Sequence, residues 1–305
     1  MRQLGLFGQS ADMRTPDEIA REYLLSTLGI GTPTINSISG GKTSSYMAIH
    51  YPADYTVFAL VRTNHPSHAI TDPGLLNAIR GKCPDFVGSL ELPDTLRCVL
   101  ELEQKIGHEI HWVWGENFED LEPIRNRGYL PNQRARFCTT ELKYIPIFDW
   151  VTERWPNEIC EMRLGMRADE PNRVFRLCGG KQIKGWDWSE LGKCESHPRS
   201  RRKIEWRFRQ APLYLDGVSR ADVKSDPWIA SQPFPPVSNC SYCPFHTRKE
   251  HRRQFESYPE RAKFWTGLEE ITWNTFHKDY RLAEILHSPE LTLLTDDLRQ
   301  CDCTD

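Results

Sequence analysis

The chain has 305 residues and a formal net charge of −3, and charged residues make up 27% of it. This length is enough for one large domain, or one domain with a substantial appendage, around a full hydrophobic core. The charge balance excludes a protein that attracts nucleic acid through its overall charge, although it leaves room for a local basic patch. Ten cysteines, with no apolar leader and no run of transmembrane length, predict a cytoplasmic protein, not bound to a membrane, whose thiols are reduced or metal-bound.

The first predicted element is a leader helix. Thr15 precedes Pro16, and Glu18 follows three residues after Thr15, which is the spacing of a capping box. The predicted helix covers residues 16–26 and packs on the outside of the sheet that follows.

A strand, a glycine turn and a helix come next. Residues 35–38 have isoleucine at both ends, and a helical pattern over residues 44–50 follows the turn. Two glycines allow close backbone approach, and the helix N-terminus adds partial positive charge, so a phosphate or sulfate group is the expected ligand. The spacing is not that of a Walker loop, and a turn that binds nothing is the alternative. The predicted ligand-binding residues are Ser39, Gly40, Gly41, Lys42, Thr43 and Ser44.

The Ser-Gly-Gly-x-x-Ser pattern of this turn resembles the PP-loop of the ATP pyrophosphatase and sulfonucleotide reductase superfamily. The resemblance implies ATP with Mg²⁺ as the ligand and catalytic roles for Ser39 and Lys42. Relatives commonly carry Asp after the lysine, whereas this chain has Thr43, which removes a negative charge near the metal.

The next elements establish an alternation of strands and helices. Residues 55–61 form an apolar run typical of a buried parallel strand, and Asn64 and His65 follow it where a base or ribose could lie. For His65, a loop histidine without a role is the alternative. Helical patterns over residues 72–79 and 96–106 and a strand over 108–114 complete the unit. The sequence therefore predicts an α/β fold with a doubly wound parallel sheet.

Two further motifs strengthen the resemblance. Cys138 lies near Arg136 and Lys143, and cationic neighbours favour a thiolate, although a buried structural cysteine is the alternative. The run Arg-Phe-Cys-Thr-x-x-Leu-Lys-x-x-Pro is similar to the second motif of the phosphoadenosine phosphosulfate reductase family, including its DNA-phosphorothioation relatives. A predicted strand over residues 159–164 then leads into a further motif. This motif is similar to one in which the family's arginines bind the anionic groups of the nucleotide. The resemblance implies nucleotide-binding roles for Lys143, Gly165, Arg167 and Arg173, with Arg167 also catalytic; surface ion pairs are the alternative.

A basic stretch covers residues 197–209, where the chain otherwise shows no long element. It carries six basic residues and one acidic residue. Trp206 and Phe208 could stack on the bases of a bound nucleic acid. Alternatively, Ile204, Trp206 and Phe208 alternate as the core-facing side chains of a β-ribbon.

Cys240-x-x-Cys243 indicates a metal-binding or redox-active site. A zinc ribbon needs a second such pair, and Cys301-Asp-Cys303 has the wrong spacing, so thiolate ligands suggest an iron–sulfur cluster. Adjacent structural thiols without metal are the alternative.

The resemblance implies a [4Fe–4S] cluster held by a Cys-Cys pair at the second motif together with this later pair. Phe137 replaces the first cysteine here, which leaves Cys138, Cys240 and Cys243. Cys178 is the predicted fourth ligand. Cys160 and Cys194 are weaker candidates, and a three-cysteine cluster with an open iron is a further alternative.

The C-terminal region is predicted to be helical from residue 248 to 287, with Thr247 as a cap and the helical pattern continuing over residues 273–286. The chain thus divides into a leader helix (1–30), a nucleotide-binding α/β domain (31–177), a basic cysteine-containing insertion (178–246) and a helical C-terminal region (247–305).

Three functions fit this sequence. The first is an enzyme that converts ATP to AMP and pyrophosphate and adenylates an acceptor for sulfur transfer or a related modification. The second is a sulfonucleotide reductase that releases sulfite; the family's Glu-Cys-Gly-(Ile/Leu)-His tail is missing, although Cys301 and Cys303 lie near the C-terminus. The third is a non-catalytic nucleotide- or nucleic-acid-binding subunit. The expected partners are a nucleic-acid acceptor (tRNA or DNA), a sulfur-donor protein or a second copy of the chain.

Overall fold

The structure is a computed structural model that describes residues 14–26, 33–156, 158–178, 187–194, 197–235 and 240–287. Over residues 187–205 and 286–287 it describes the backbone alone. Among these described helices, none has the length and apolar character needed to cross a membrane.

The strands are β1 (Thr34–Ile38), β2 (Tyr55–Ala59), β3 (Arg62–Thr63), β4 (Gly88–Ser89), β5 (Ile110–Val113), β6 (Cys160–Leu164), β7 (Asp187–Cys194) and β8 (His197–Gln210). The α-helices are α1 (Pro16–Ser26), α2 (Lys42–His50), α3 (Pro73–Lys82), α4 (Pro93–Ile106), α5 (Glu122–Arg127), α6 (Phe137–Thr139), α7 (Ile145–Arg154), α8 (Pro171–Leu177), α9 (Pro212–Leu215), α10 (Arg220–Ser225), α11 (Pro227–Ser231), α12 (Arg248–Ser257), α13 (Pro259–Thr272) and α14 (Leu282–His287). Short 3₁₀ turns cover Pro66–His68 and Phe118–Asp120, and a π-helix covers Thr140–Tyr144.

The main sheet has the strand order β5-β2-β1-β6-β8-β7. The first five strands in this order are parallel, and β7 runs antiparallel to β8. The chain moves outward from β1 to β2 and β5, and then returns to place β6 on the other side of β1. The carboxyl ends of β1 and β6 therefore border the crevice where such sheets bind ligands. The predicted α/β fold with a doubly wound parallel sheet is confirmed.

Helices cover both faces of this sheet. Val57 and Ala59 of β2 face a core that includes side chains of α1, α7 and α8. Phe58 and Leu60 face a core that includes side chains of α2, α3 and α4. This alternation follows from the period of two in a strand, and it explains why β2 is apolar at nearly every position.

The leader helix has the predicted bounds and cap. The Glu18 amide donates to the Thr15 hydroxyl over 3.2 Å, and the Glu18 carboxylate accepts from the Thr15 amide over 2.7 Å. Ala20, Tyr23 and Leu24 are buried in the core on the α8 side of the sheet. The helix is thus part of the outer layer, as expected.

Helix boundaries near prolines differ from the prediction. Helix α4 begins at Pro93, three residues earlier than expected, because proline is favoured in the first turn, where its missing amide is not needed. The sequence pattern predicts a helix over residues 147–155, but the chain is already helical from Phe137 and joins α7, with Pro146 again in the first turn.

The basic stretch is a strand, and the nucleic-acid alternative for its aromatic residues is wrong. Strand β8 pairs with β6 on one side and with β7 on the other. Trp206 and Phe208 are fully buried, so neither ring is available for stacking on a base. The alternation of apolar residues, which predicts a ribbon facing the core, outweighs the positive charge of the stretch.

The C-terminal region forms three helices over a third core that includes Tyr242, Phe255, Trp265 and Phe276. Thr247 and Glu250 form a capping box at the start of α12. The predicted helical continuation over residues 273–286 is only partly confirmed. Trp273 has a left-handed backbone with φ of 58° and ends α13, and the chain becomes helical again only at Leu282, where α14 begins.

Candidate functional site

The turn after β1 is a compact loop fixed by its own hydrogen bonds. The Ser39 amide donates to Ser44 Oγ over 3.2 Å, and Ser44 Oγ donates to the Gly41 carbonyl over 3.1 Å. Gly40 has φ of +72°, and a Cβ atom there would lie 2.6 Å from Thr95 Cγ2 in the first turn of α4. Only glycine meets both requirements, so the loop can turn tightly against α4.

Helix α2 begins at this loop without a side-chain cap. Its N-cap is Gly41, and the Ser45 amide makes the first helical hydrogen bond, 3.0 Å to the Gly41 carbonyl. The amides of Lys42, Thr43 and Ser44 therefore precede the helical ladder, as the first amides of any helix do. Uncapped amides and the helix dipole make this end suitable for an anion.

The loop after β6 presses directly on the start of α2. A Cβ atom on Gly165 would lie 3.0 Å from both the amide nitrogen and the Cα atom of Ser44. Because the obstacle is backbone rather than a side chain, it cannot rotate away. Gly165 thus allows the two loops at the crevice to meet.

Arg167 follows this contact and reaches the first turn of α2. Its Nη1 atom donates to Thr43 Oγ1 over 2.8 Å, and its Nε atom donates to Asp169 Oδ1 over 2.9 Å. Nη1 also lies 3.2 Å from a carboxylate oxygen of Glu170. Arg167 is only 8% exposed, so its charge lies in a setting where water screens it weakly.

Glu170 and Asp169 fix this guanidinium. Glu170 is buried and also accepts a hydrogen bond from Arg173 over 3.1 Å. Arg173 is therefore linked to the loop after β1 indirectly, through Glu170 and Arg167. Burial alone would raise the pKa of Asp169, but hydrogen bonding and charge attraction from Arg167 outweigh it and lower this pKa overall. Asp169 is therefore ionised at neutral pH and orients Arg167.

The donor set around the loop suits an anion and does not suit Mg²⁺. Mg²⁺ prefers carboxylate and water oxygens in an octahedral arrangement. Here Thr43 Oγ1 accepts from Arg167, and the carboxylates of Asp169 and Glu170 pair with the same guanidinium. The residues therefore do not form the cation site that the sequence resemblance implies.

The structure brings together eight of the predicted nucleotide-binding residues: Ser39, Gly40, Gly41, Lys42, Thr43, Ser44, Gly165 and Arg167. Three predicted positions remain. Arg173 pairs with Glu170 and is linked to the loop only through that carboxylate, and the other two lie elsewhere. Asn64 is exposed beyond β3, where its amide donates to Glu119 over 2.6 Å. Lys143 lines a pocket formed by cysteines. The similarity of a short motif does not give the side to which a helical lysine points, because one residue turns a helix by 100°.

Three predicted cysteines line that pocket. Cys138, Cys240 and Cys243 border a partly open space of about 440 Å³, together with Lys143. The apolar part of the lining comes from the third core, including Trp265 and Phe276. Residues more than a hundred positions apart in the sequence therefore meet here.

The Cys-x-x-Cys turn is held in an unusual conformation. Tyr242, between the two cysteines, has φ of 57° and is fully buried. Its amide donates to Gln254 Oε1 over 2.7 Å, and the Ser241 amide donates to the Leu90 carbonyl over 2.7 Å. A left-handed tyrosine persists only where its surroundings impose it, which is typical of functional turns.

Sequence reasoning missed Glu91, which lies under this turn. Its carboxyl is fully buried, and Oε1 is 3.9 Å from Cys240 Sγ. Burial raises the pKa of Glu91, although the Lys143 charge opposes the shift. An acidic residue between two leucines, Leu90 and Leu92, is the only signal in the sequence, and it does not reveal the contact with Cys240.

Cys178 does not join the other three cysteines, so its prediction as the fourth ligand is not supported. Its thiol packs in the core beside α1 and lies 3.9 Å from the Ala20 carbonyl. Burial raises the pKa of Cys178 to about 12, whereas a metal ligand must be a thiolate. Cys160 is buried in the same core. The side chain of Cys194, and Cys301 and Cys303, lie outside the described residues.

Within the described ranges, no three or more His, Cys, Asp or Glu side chains form a group that could hold a metal ion. A cube-shaped cluster differs from a single ion, because each of its irons takes its own thiolate. The three pocket cysteines share one space, and their number matches only the alternative of a cluster with one open iron. The cluster itself stays a prediction.

Comparison with known proteins adds no family assignment. No protein-family model matches the chain, and no curated protein matches its sequence. The fold places it among α/β proteins with a Rossmann-like, doubly wound sheet.

Proposed function

We propose that the chain is a PP-loop nucleotide-binding enzyme, similar to the phosphoadenosine phosphosulfate reductase family. The observation that carries this proposal is the meeting of two loops at the crevice. Arg167 from the loop after β6 donates to Thr43 in the first turn of the uncapped helix α2. The sequences of both loops resemble motifs of the same superfamily.

The proposed reaction converts ATP to AMP and pyrophosphate. An acceptor oxygen attacks the α-phosphorus, the bond from that phosphorus to the bridging oxygen breaks, and pyrophosphate leaves with the electron pair. The adenylated acceptor is then open to substitution by sulfur, with release of AMP. Negative charge grows on the departing pyrophosphate, and Lys42, the free amides of α2 and Arg167 are positioned to stabilise it.

A sulfonucleotide reductase is the second candidate. The observation in its favour is that the described loop residues offer cations, amides and hydroxyls but no carboxylate free for Mg²⁺. In that reaction a thiolate attacks the sulfur of a phosphosulfate and displaces the nucleotide phosphate. A second thiol then displaces sulfite and leaves a disulfide.

The cysteine pocket is the proposed position of the iron–sulfur cluster. Cys138, Cys240 and Cys243 would hold it, and Lys143 would offset part of the negative charge of the thiolates. When bound, such a cluster supplies single electrons or a Lewis-acidic iron.

Product analysis under anaerobic conditions tests these functions. ATP with and without Mg²⁺ is added to one set of samples, and phosphoadenosine phosphosulfate with a thiol reductant to another. AMP and pyrophosphate support the adenylating enzyme, whereas sulfite identifies the reductase. Tight nucleotide binding without either product would replace both with the non-catalytic binding subunit.

Arg167→Lys is expected to weaken nucleotide binding about tenfold, the effect of losing about 1.4 kcal/mol. Lysine keeps the charge, but its single nitrogen cannot contact Thr43, Asp169 and Glu170 together. Isothermal titration calorimetry with ATP measures the change, and removing Mg²⁺ with chelator should alter affinity little. The control is Arg163→Lys, because Arg163 pairs with Glu161 and the Pro52 carbonyl. Equal loss in both variants would contradict a specific role for Arg167.

Cys240→Ser is expected to abolish the broad brown absorption of an iron–sulfur cluster in anaerobically purified protein, because serine is a poor ligand for cluster iron. Cys178→Ser should retain this absorption, since Cys178 lies in the separate core beside α1. Iron content and electron paramagnetic resonance provide the measurements. A wild-type protein that contains no iron after anaerobic reconstitution would contradict the cluster.

A further inference from the structure

Two aromatic rings stand exposed on the outside of the C-terminal core. Trp273 is 83% exposed and Tyr129 is 55% exposed, and we call this pair the aromatic platform. The two residues are neighbours, because Asn274 Nδ2 donates to the Gly128 carbonyl over 2.9 Å and Thr272 packs against Gly128. Large rings are normally buried, so two exposed rings on adjoining segments favour a binding role.

The backbone of Trp273 makes its exposure more unusual. Its φ of 58° lies in the left-handed region, where glycine and asparagine are the favoured residues. A tryptophan at this helix end neither fills the core nor suits the turn. Its presence is therefore not explained by folding, which favours a role in binding.

Two chain segments connect the platform to the cysteine pocket. The segments 128–134 and 272–277 run beside each other, since Gln133 Nε2 lies 3.2 Å from His277 Nε2. Pro131 of the first segment and Phe276 of the second line the pocket. A linear ligand lying along these segments would therefore extend from the platform to the pocket mouth.

Basic side chains flank this path. Arg125 and Arg127 are exposed just before Tyr129, and Arg134 is exposed near the pocket mouth. Arg136 lies over the Phe245 ring at 4.8 Å, and Arg248 lies over the Tyr280 ring at 5.4 Å. Among the nearby acidic groups, Glu122 pairs with Arg127, Asp279 pairs with Lys278, and Glu270 is exposed in the last turn of α13. The path thus combines stacking surfaces with positive charge.

We propose that this surface binds single-stranded nucleic acid. Unpaired bases would stack on the aromatic platform, and Arg134, Arg136 and Arg248 would contact the phosphates that lead to the cysteine pocket. Single strands are favoured over duplexes because a duplex keeps its base faces stacked inside the helix. The proposal goes beyond nucleotide binding and names the chemical class of a macromolecular ligand, which a modifying enzyme would use as acceptor.

Fluorescence anisotropy with labelled oligo-dT, oligo-rU and a duplex of matched length tests the proposal. We expect the full chain to bind a single strand more tightly than the duplex and to lose affinity steeply with added salt. The two single strands differ in sugar and base, and comparing further sequences of each shows whether the ligand is DNA or RNA. Binding to the duplex that equals the best single strand would overturn the proposal.

Trp273→Asn is the decisive variant, because asparagine suits the left-handed backbone and should leave the fold intact. Loss of one stacked base should weaken oligonucleotide binding about tenfold or more. Lys224→Gln, on α10 beside α2, is the control and should bind as the wild type does. ATP affinity, measured in the same samples, should be unchanged, so failure of this proposal is distinct from failure of the nucleotide site. Wild-type oligonucleotide affinity in the Trp273→Asn variant would overturn the proposal. An aromatic platform that binds protein but no oligonucleotide would overturn it as well.

Discussion

Gly165→Val is expected to abolish nucleotide binding while the protein stays folded. A Cβ atom at this position would lie 3.0 Å from the amide nitrogen and Cα of Ser44, and the valine methyl groups would crowd the same backbone further. The first turn of α2 must then move away from the loop after β6. The amides of α2 would no longer meet the ligand at the same point as Arg167, and binding that depends on both would be lost.

The smaller substitution Gly165→Ala should give a graded loss. Overpacking by one methyl group costs about 1–3 kcal/mol, which corresponds to about a tenfold to hundredfold rise in the dissociation constant if the strain falls on the bound conformation. Titration calorimetry with ATP measures the loss, and thermal denaturation shows whether the fold persists. Gly81→Ala in α3 is the matched control, because no atom lies within 4 Å of the added methyl group. Unchanged affinity in Gly165→Val would place the nucleotide away from this crevice.

The strand, turn and helix from β1 to α2 could be predicted from the sequence because their determinants are local. Isoleucines at both ends of the strand, the Gly40-Gly41 pair and the helical pattern after them each act within a few residues. Arg167 required a second kind of information, namely similarity in the order of motifs. The sheet then explains why both loops meet, since β1 and β6 are neighbours at the point where the strand order reverses.

The cysteine site was only partly predictable, because its geometry depends on long-range packing. Cys138, Cys240 and Cys243 share a pocket, whereas Cys178 faces the opposite core, and spacing along the chain does not distinguish these two cases. Glu91 contacts Cys240, which is 149 residues away in the sequence. No local pattern reports such a contact.

At two further places, a pattern in the sequence predicted the wrong environment. In β8 the basic residues suggested a surface, yet the alternation that ends in Trp206 and Phe208 decided the burial of those rings. At Trp273 the helical spacing of apolar residues continued, but the backbone had already turned left-handed. Ile271 follows the same helical spacing and is nevertheless 79% exposed.

A buried histidine is expected to make the protein less stable in mild acid. Burial, assisted by the charges of Arg261 and His65, lowers the pKa of His68 from its usual 6.5 to about 2. The cause is visible in its contacts: Trp265 Nε1, which can only donate, lies 3.2 Å from His68 Nε2, so that nitrogen must accept and cannot carry a proton. Nδ1 therefore carries the proton and donates to Ser67 Oγ over 2.9 Å.

The sign of the effect follows from this lowered pKa. The unfolded chain takes up a proton at His68 below about pH 6.5, whereas the folded chain does not until about pH 2. The contribution of His68 to the free energy of unfolding is therefore fully present above about pH 6.5 and falls as the pH decreases. At about pH 5 this group alone removes about 2 kcal/mol from the free energy of unfolding. His111, whose pKa is also lowered by burial, adds to the total in the wild type.

Comparison of the wild type with a variant that lacks the titrating group isolates the contribution of His68 to the pH dependence of stability. In His68→Gln the amide oxygen can accept from Trp265 and the amide nitrogen can donate to Ser67, so the contacts are preserved without a titrating group. Urea denaturation at about pH 7 and about pH 5 should show His68→Gln losing about 2 kcal/mol less than the wild type. His108→Gln, in the turn before β5, serves as the control and should follow the wild type. Equal losses in His68→Gln and the wild type would mean that His68 is protonated in the folded state, contrary to the direction of the Trp265 hydrogen bond.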